Sequence, residues 1–335
     1  MEIGFIILSI IFLILSINNK VGNRFLGISF FLLFILLGFR DVSVGTDTIN
    51  YLTIFERVVN SDYKGVEPGW IFLNNLTYYL GLKFEFLLVL TALLTLAPVY
   101  YIIKRSSVNP MLSLFFYYTL YFYFDAFNIT RQALAVVIVL VAMVQLINNK
   151  KIFFILIVLL ASTFHLTALI ALPLIFVDKI PDNMLIYLLG IPISLLIGVV
   201  GFEIFYKIAP NTEYAHYAEA VDIDNLKAGK GFLLALNAFF VFVLLVIKEK
   251  DIHFKMFFVY VLSQNLTTKV PYGYRLVLYF SIIQVLFLPL FVKNNKLKGN
   301  EKILCTVAVI LYTYILLYRL YGDGDILPYS NILFE

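Results

Sequence analysis

Residues 84–103 read FEFLLVLTALLTLAPVYYII, twenty positions with one formal charge, Glu85. A helix needs roughly 20 mostly apolar residues to cross the hydrocarbon core of a bilayer, and this stretch has that length. Amides in hydrocarbon find no water, so such a run must close its hydrogen bonds within itself as a helix. Outward from it, comparable runs recur near 3–17, 25–39, 111–124, 132–147, 152–177, 184–206, 231–247, 252–268, 273–292 and 302–318. A strand barrel would show short segments of alternating polarity instead. The expected fold is all-α: a polytopic membrane helical bundle, one transmembrane domain over 1–335, with about ten or eleven membrane segments.

Composition agrees. Of 335 residues, 62% are hydrophobic and 14% are charged, too little charge to cover a water-soluble surface. The net charge of +4 is modest and dispersed, which speaks against nucleic acid as a partner. The lone Cys305 excludes an intrachain disulfide and a cysteine-cluster metal site. His165, His216 and His253 lack metal-ligand spacing. No phosphate-binding glycine loop ending in Gly-Lys-Ser/Thr is present, which argues against nucleotide hydrolysis. The run after Glu2 has no basic flank and no small-residue cleavage site, so it reads as a retained span.

Two connections are long. In 40–83 the stretch Gly69–Leu80 has helical apolar spacing and reads as an interfacial helix. The other, 207–230, is rich in Tyr and acidic residues. Lys/Arg bias sets the sidedness. Lys20 and Arg24, Lys104 and Arg105, and Lys150 and Lys151 mark inside loops from one end, and Lys248, Lys250, Lys255, Lys293, Lys296, Lys298 and Lys302 from the other. The two series disagree by one crossing unless one segment is broken or re-entrant. The segment 152–177, with His165 at its middle, is the first suspect, and a miscounted span elsewhere is the rival. With that break, both long loops and both termini face outward.

This topology gathers polar residues at the outer side: Arg40 and Gly45-Thr46-Asp47-Thr48 after the second run, Arg131 after Asp125 and Asn128, His165 at the break, and Lys269, Tyr272 and Arg275 at the start of a later run. Each also has a structural reading. Arginines snorkel from helix ends, Asp47 suits a turn, and His165 suits internal packing. Asp323 and Asp325 read as a turn or tail. Taken chemically, several guanidinium forks around one outward cavity suit a phosphate-bearing ligand. A neighbouring carboxylate or imidazole could deprotonate a hydroxyl.

The motifs also resemble a known family. Gly38-Phe39-Arg40 followed by Val44-Gly45-Thr46-Asp47-Thr48 and Tyr51 is similar to the opening signature of the EpsG family, Wzy-like polymerases of O-antigen, capsule and exopolysaccharide. Thr130-Arg131-Gln132-Ala133, Phe164-His165-Leu166-Thr167-Ala168, Tyr274-Arg275-Leu276 with Tyr279-Phe280, and Leu327-Pro328-Tyr329 continue it in order. In the third motif Thr167 stands where Ser is common.

The resemblance implies glycosyl transfer at the outer face of the bacterial cytoplasmic membrane, between polyprenyl-diphosphate-linked oligosaccharides. It implies no cofactor, metal or nucleotide. Membrane lipid is a partner, and a chain-length regulator is a further candidate. Expected catalytic residues are Asp47, His165, Arg131 and Arg275. Expected substrate-binding residues are Arg40, Thr46, Thr48, Tyr51, Gln132, Lys269, Tyr272 and Tyr279. Loop 207–230, with Tyr206, Tyr214 and Tyr217, is a candidate acceptor platform or an ordinary surface loop. A lipid-linked oligosaccharide flippase, a glycan ligase and a noncatalytic assembly subunit remain alternatives.

Overall fold

A computed structural model describes residues 2–208, 230–270, 272–294 and 326–333. Among these the chain is helical, and its contacts define two compact units: 1–169 with 284–335, and 170–283. Loop 207–230, the run 302–318, Cys305, Asp323 and Asp325 lie largely or wholly outside the described residues.

The first unit contains α1 (Glu2–Ser16), α2 (Asn19–Gly38), α3 (Thr48–Val59), α4 (Pro68–Tyr79), α5 (Phe84–Ser106), α6 (Pro110–Thr119), α7 (Phe122–Asn128), α8 (Thr130–Ile147) and α9 (Lys151–Ser162). A 3₁₀ segment, Leu166–Lys179, carries the chain into the second unit, which holds α10 (Met184–Ile208), α11 (Lys230–Val246), α12 (Ile252–Leu266) and α13 (Gly273–Ser281). Helix α14 (Gln284–Asn294) returns to the first unit.

Among the described residues, four stretches are long and apolar enough to cross a bilayer alone: α2, α5, α8 and Met184–Gly201 of α10. A fifth is added if α13 and α14 count as one span. Helices α1 and α9 and most of α11 are apolar but shorter. Exposed Ile7, Ile10, Ile11 and Ile14 line one face of α1, and Val21, Phe25, Ile28 and Leu32 one face of α2. These three- and four-residue steps make continuous apolar stripes suited to lipid.

Three expected runs are divided. The run 111–124 is two helices, because the chain turns at Tyr121, whose φ is +76°. The run 273–292 changes helix at 282–283. The run 152–177 is interrupted where expected: α-helix stops at Ser162, and the tighter 3₁₀ coil begins after His165. The connection 40–83 is more ordered than expected. It holds α4, one residue offset from the expected 69–80, and the unforeseen α3.

Every residue of α6 is buried. Its hydroxyls and those of α7 reach carbonyls on neighbouring helices: Tyr118 Oη to Phe5 O at 3.0 Å, Tyr123 Oη to Leu33 O at 2.9 Å, and Ser113 Oγ to Val285 O at 2.6 Å. Buried polar groups without such partners would each cost kilocalories. Small residues let backbones approach. A Cβ on Gly38 would stand 3.3 Å from Ala92 Cβ between α2 and α5.

In the second unit, Gly190 and Gly198 of α10 press on Phe258 and Asn265 of α12. Tyr187 packs on Phe254 and Phe258 at 5.1 and 4.9 Å. Asn265 joins Asn237 of α11 (2.8 and 3.0 Å) to Ser194 of α10 (2.9 Å).

Candidate functional site

The first unit brings together the end of α2, the turn 41–47, the α7–α8 corner and the start of α4. Helix α2 stops at Gly38, leaving its last carbonyls unpaired within the helix. A cation is favoured at that negative end, and Arg40 Nη1 donates to Leu37 O at 2.6 Å. Its Nη2 lies 3.4 Å from Thr130 Oγ1, its guanidinium stands 5.4 Å over the Phe127 ring, and its Nε is buried without a hydrogen-bond partner. The side chain is enclosed, and burial pushes its pKa down to about 10, which leaves it charged at neutral pH. Among the described residues no carboxylate pairs with it.

The distant tail covers the same helix end. Asn331 pairs with Arg40 through the backbone, Asp41 N donates to Ser330 O, and Ile332 N donates to Phe39 O. Tyr329 Oη donates to Leu36 O at 2.6 Å, and Asn331 Nδ2 to Ile35 O at 3.3 Å.

The turn after Arg40 is held by short side chains. Asp41 accepts from Ser43 N and Oγ, and these bonds hold its carboxyl below the usual range. Gly45 has φ +92°, and a Cβ there would lie 2.5 Å from Phe127 O. Thr46 donates through N and Oγ1 to Asn128 Oδ1 at 2.8 and 3.1 Å. Thr48 is buried and bonds Val44 O at 2.7 Å and Phe127 O at 3.3 Å. Asp47 precedes α3 as its N-cap residue, but its carboxylate makes no cap bond and remains partly exposed. Tyr51, one turn on, is buried and tilted against Trp70 at 5.4 Å; burial pushes its hydroxyl pKa up.

Arg131 lies in the first turn of α8, the positive end of the helix, where a cation is disfavoured. The structure compensates with Glu67, whose Oε2 is 2.6 Å from Arg131 Nη1, and with the Tyr51 ring 5.8 Å from the guanidinium. Both partners of the ion pair keep about a fifth of their side-chain exposure (21% and 20%), so the pair is not sealed in the interior.

Glu67 is the N-cap residue of α4. Gly69 N donates to Thr163 O at 2.8 Å, and a Cβ at Gly69 would stand 2.7 Å from Thr163 Oγ1. The start of α4 is thereby fastened to the break after α9. His165 is in that break, half-buried, with Nδ1 2.6 Å from Thr167 Oγ1. The preceding Phe164 packs on the cluster that contains Tyr51 and Trp70.

Of the residues singled out by sequence, Arg40, Thr46, Asp47, Thr48, Tyr51 and Arg131 converge here, and His165 adjoins them through the Thr163–Gly69 contact. Gln132 points into the packed interior. Lys269, Tyr272, Arg275 and Tyr279 belong to the second unit. There Arg275 lies 5.3 Å from the exposed Tyr272 ring, its Nε 3.4 Å from Tyr274 Oη, while Tyr279 is buried. Sequence reading missed Glu67 as Arg131's partner and the carbonyl of Phe127 as the wall behind Gly45. Among the described residues no group of His, Cys, Asp or Glu is arranged to hold a metal ion.

An all-α polytopic bundle with guanidinium groups at helix ends defines an integral membrane protein of several crossings, with a cationic, partly enclosed site. A model of the EpsG family matches residues 23–331, and the chain belongs to that family, one of Wzy-like polymerases. No curated protein and no solved structure matches it. Family membership makes it glycosyltransferase-like and implies a lipid-linked oligosaccharide substrate in a membrane.

Proposed function

We propose that the protein is a polysaccharide polymerase that moves a glycan chain from polyprenyl diphosphate onto the nonreducing end of a lipid-linked repeat unit. It works without metal or nucleotide at the outer face of the bacterial cytoplasmic membrane, in synthesis of O-antigen, capsule or exopolysaccharide. The acceptor hydroxyl oxygen bonds to the donor's anomeric carbon, the bond from that carbon to the diphosphate oxygen breaks, and the hydroxyl proton passes to a protein base. Charge grows on the departing diphosphate, so fixed cationic donors lower the barrier.

The observation that supports this reading is Arg131: a partly exposed guanidinium that shares Tyr51 with Asp47 and directly follows Thr130, whose hydroxyl Arg40 Nη2 approaches. Arg131 is assigned to the donor diphosphate. Arg40, enclosed against Phe127 and Thr130, adds charge and holds the corner. Asp47 is assigned as the base, with His165 as the other candidate. The motif resemblance gives Arg275 a diphosphate role as well, and its own substitution tests that separately.

Purified protein in nanodiscs, given a synthetic lipid-linked repeat, should lengthen it. Arg131→Ala should lower turnover by roughly a hundredfold or more at normal abundance. Arg131→Lys should also fall short, because a point charge does not replace a fork. Full activity in Asp47→Asn would move the base to His165. Transport of the lipid-linked repeat across vesicles without lengthening would overturn the polymerase reading in favour of a flippase.

A further inference from the structure

Glu67 takes no part in the reaction as written, yet its placement is specific. An N-cap carboxylate ordinarily bonds the first amides of its own helix. Here Pro68 has no N–H, Gly69 N–H is given to Thr163 O, and the Glu67 side chain makes no cap bond. Its carboxylate turns instead to Arg131.

The contact is single. Nη1 of Arg131 is bonded, while its Nε is buried without a hydrogen-bond partner. A guanidinium fork meets a well-matched oxyanion with two parallel bonds, so this pair leaves donor capacity unused. A diphosphate, with more oxygens and more charge, could fill it. The Tyr51 ring supports the guanidinium from another side and keeps it in place if Glu67 swings away. The exposure of both side chains gives an anion a route to the pair and keeps the ion pair weak enough to be displaced.

We propose that Glu67 is an exchangeable counter-anion, competing with the substrate's diphosphate for Arg131 and reclaiming the guanidinium as polyprenyl diphosphate departs. This rests on the assignment of Arg131 to the diphosphate. Glu67 acts through Arg131 and is a positioning residue.

The test uses inorganic pyrophosphate as the probe on full-length protein in nanodiscs. Glu67→Gln removes the competing charge and should tighten pyrophosphate binding roughly fivefold, the worth of one partly exposed ion pair. Arg131→Ala should abolish binding in either background. In glycan lengthening, Glu67→Gln should lower kcat and KM together, because the leaving diphosphate is held longer. A merely structural role would lower abundance and weaken binding. Glu67→Asp is the second variant: one methylene shorter, it breaks the 2.6 Å contact while keeping the charge, and should tighten binding by less. Unchanged or weaker pyrophosphate binding in both variants would overturn the exchange. If wild-type protein lengthens no glycan while Glu67→Gln still tightens pyrophosphate, the polymerase reading fails and the exchange stands. If glycan is lengthened while pyrophosphate binding is indifferent to Glu67, the exchange fails and the polymerase reading stands.

Discussion

Gly45→Ala should damage the site far more than an identical change at Gly65. Both glycines have positive φ, +92° and +72°. Alanine in that region costs about 1–2 kcal/mol, and at Gly65 nothing lies within 4 Å of the new Cβ, so the cost ends there. At Gly45 the Cβ would stand 2.5 Å from Phe127 O and 3.0 Å from Asn128 Oδ1. The first of these is backbone and cannot turn aside, so overpacking adds about 1–3 kcal/mol more. The total for Gly45→Ala is then about 2–5 kcal/mol. The strain falls on the corner where Asn128 grips Thr46, so lengthening activity should drop as well. Trp70, the chain's single tryptophan, is buried against Tyr51 and supplies the probe. Its fluorescence during thermal unfolding in nanodiscs should show a lower midpoint for Gly45→Ala than for Gly65→Ala. Equal midpoints for the two variants would refute the close approach of the turn to Phe127.

Asn265→Ala strands Asn237 and Ser194, and a double-mutant cycle with Asn237→Ala should give a coupling of about 0.5–2 kcal/mol in unfolding of α10–α12. Asp251 caps α12 through Phe254 N at 3.0 Å, so Asp251→Ala should cost about 1 kcal/mol in the same assay. Burial alone would raise the Asp251 pKa, but bonds from His253 and Phe254 outweigh it and leave it below 3.8. Its contribution is therefore present above about pH 4 and is lost as pH falls through the lowered value, which an acid titration of wild type against Asp251→Ala would show. Tyr329→Phe removes the 2.6 Å bond to Leu36 O and should lower stability by about 1 kcal/mol, read by Trp70 fluorescence.

The membrane helices were legible in sequence because hydrocarbon leaves a backbone so few options. The divisions within them were less so. Tyr121 takes a left-handed φ without being Gly, Asn or Asp, so nothing in its identity marks the end of α6. Helix α3 went unread although Tyr51, Leu52, Phe55 and Val58 recur at helical spacing, because its 12 residues are too short to read as a span. Arg131 and Gly45-Thr46-Asp47 were visible as motifs, but the ion pair with Glu67 spans 64 residues and has no local signature. One clue was available: Glu-Pro-Gly at 67–69 places Pro at the first helical position, which makes Glu67 a helix-start residue.

The seating of residues 329–332 against residues 35–41 orders events during synthesis. At about 5–20 residues per second, the ribosome needs on the order of 15–60 s between making Arg40 and making Asn331. Throughout that interval the carbonyls of Ile35 and Leu36 lack the covering that the late segment provides. A nascent protein halted before that segment would carry Arg40 without its pairing to Asn331 and the end of α2 without the Tyr329 hydroxyl.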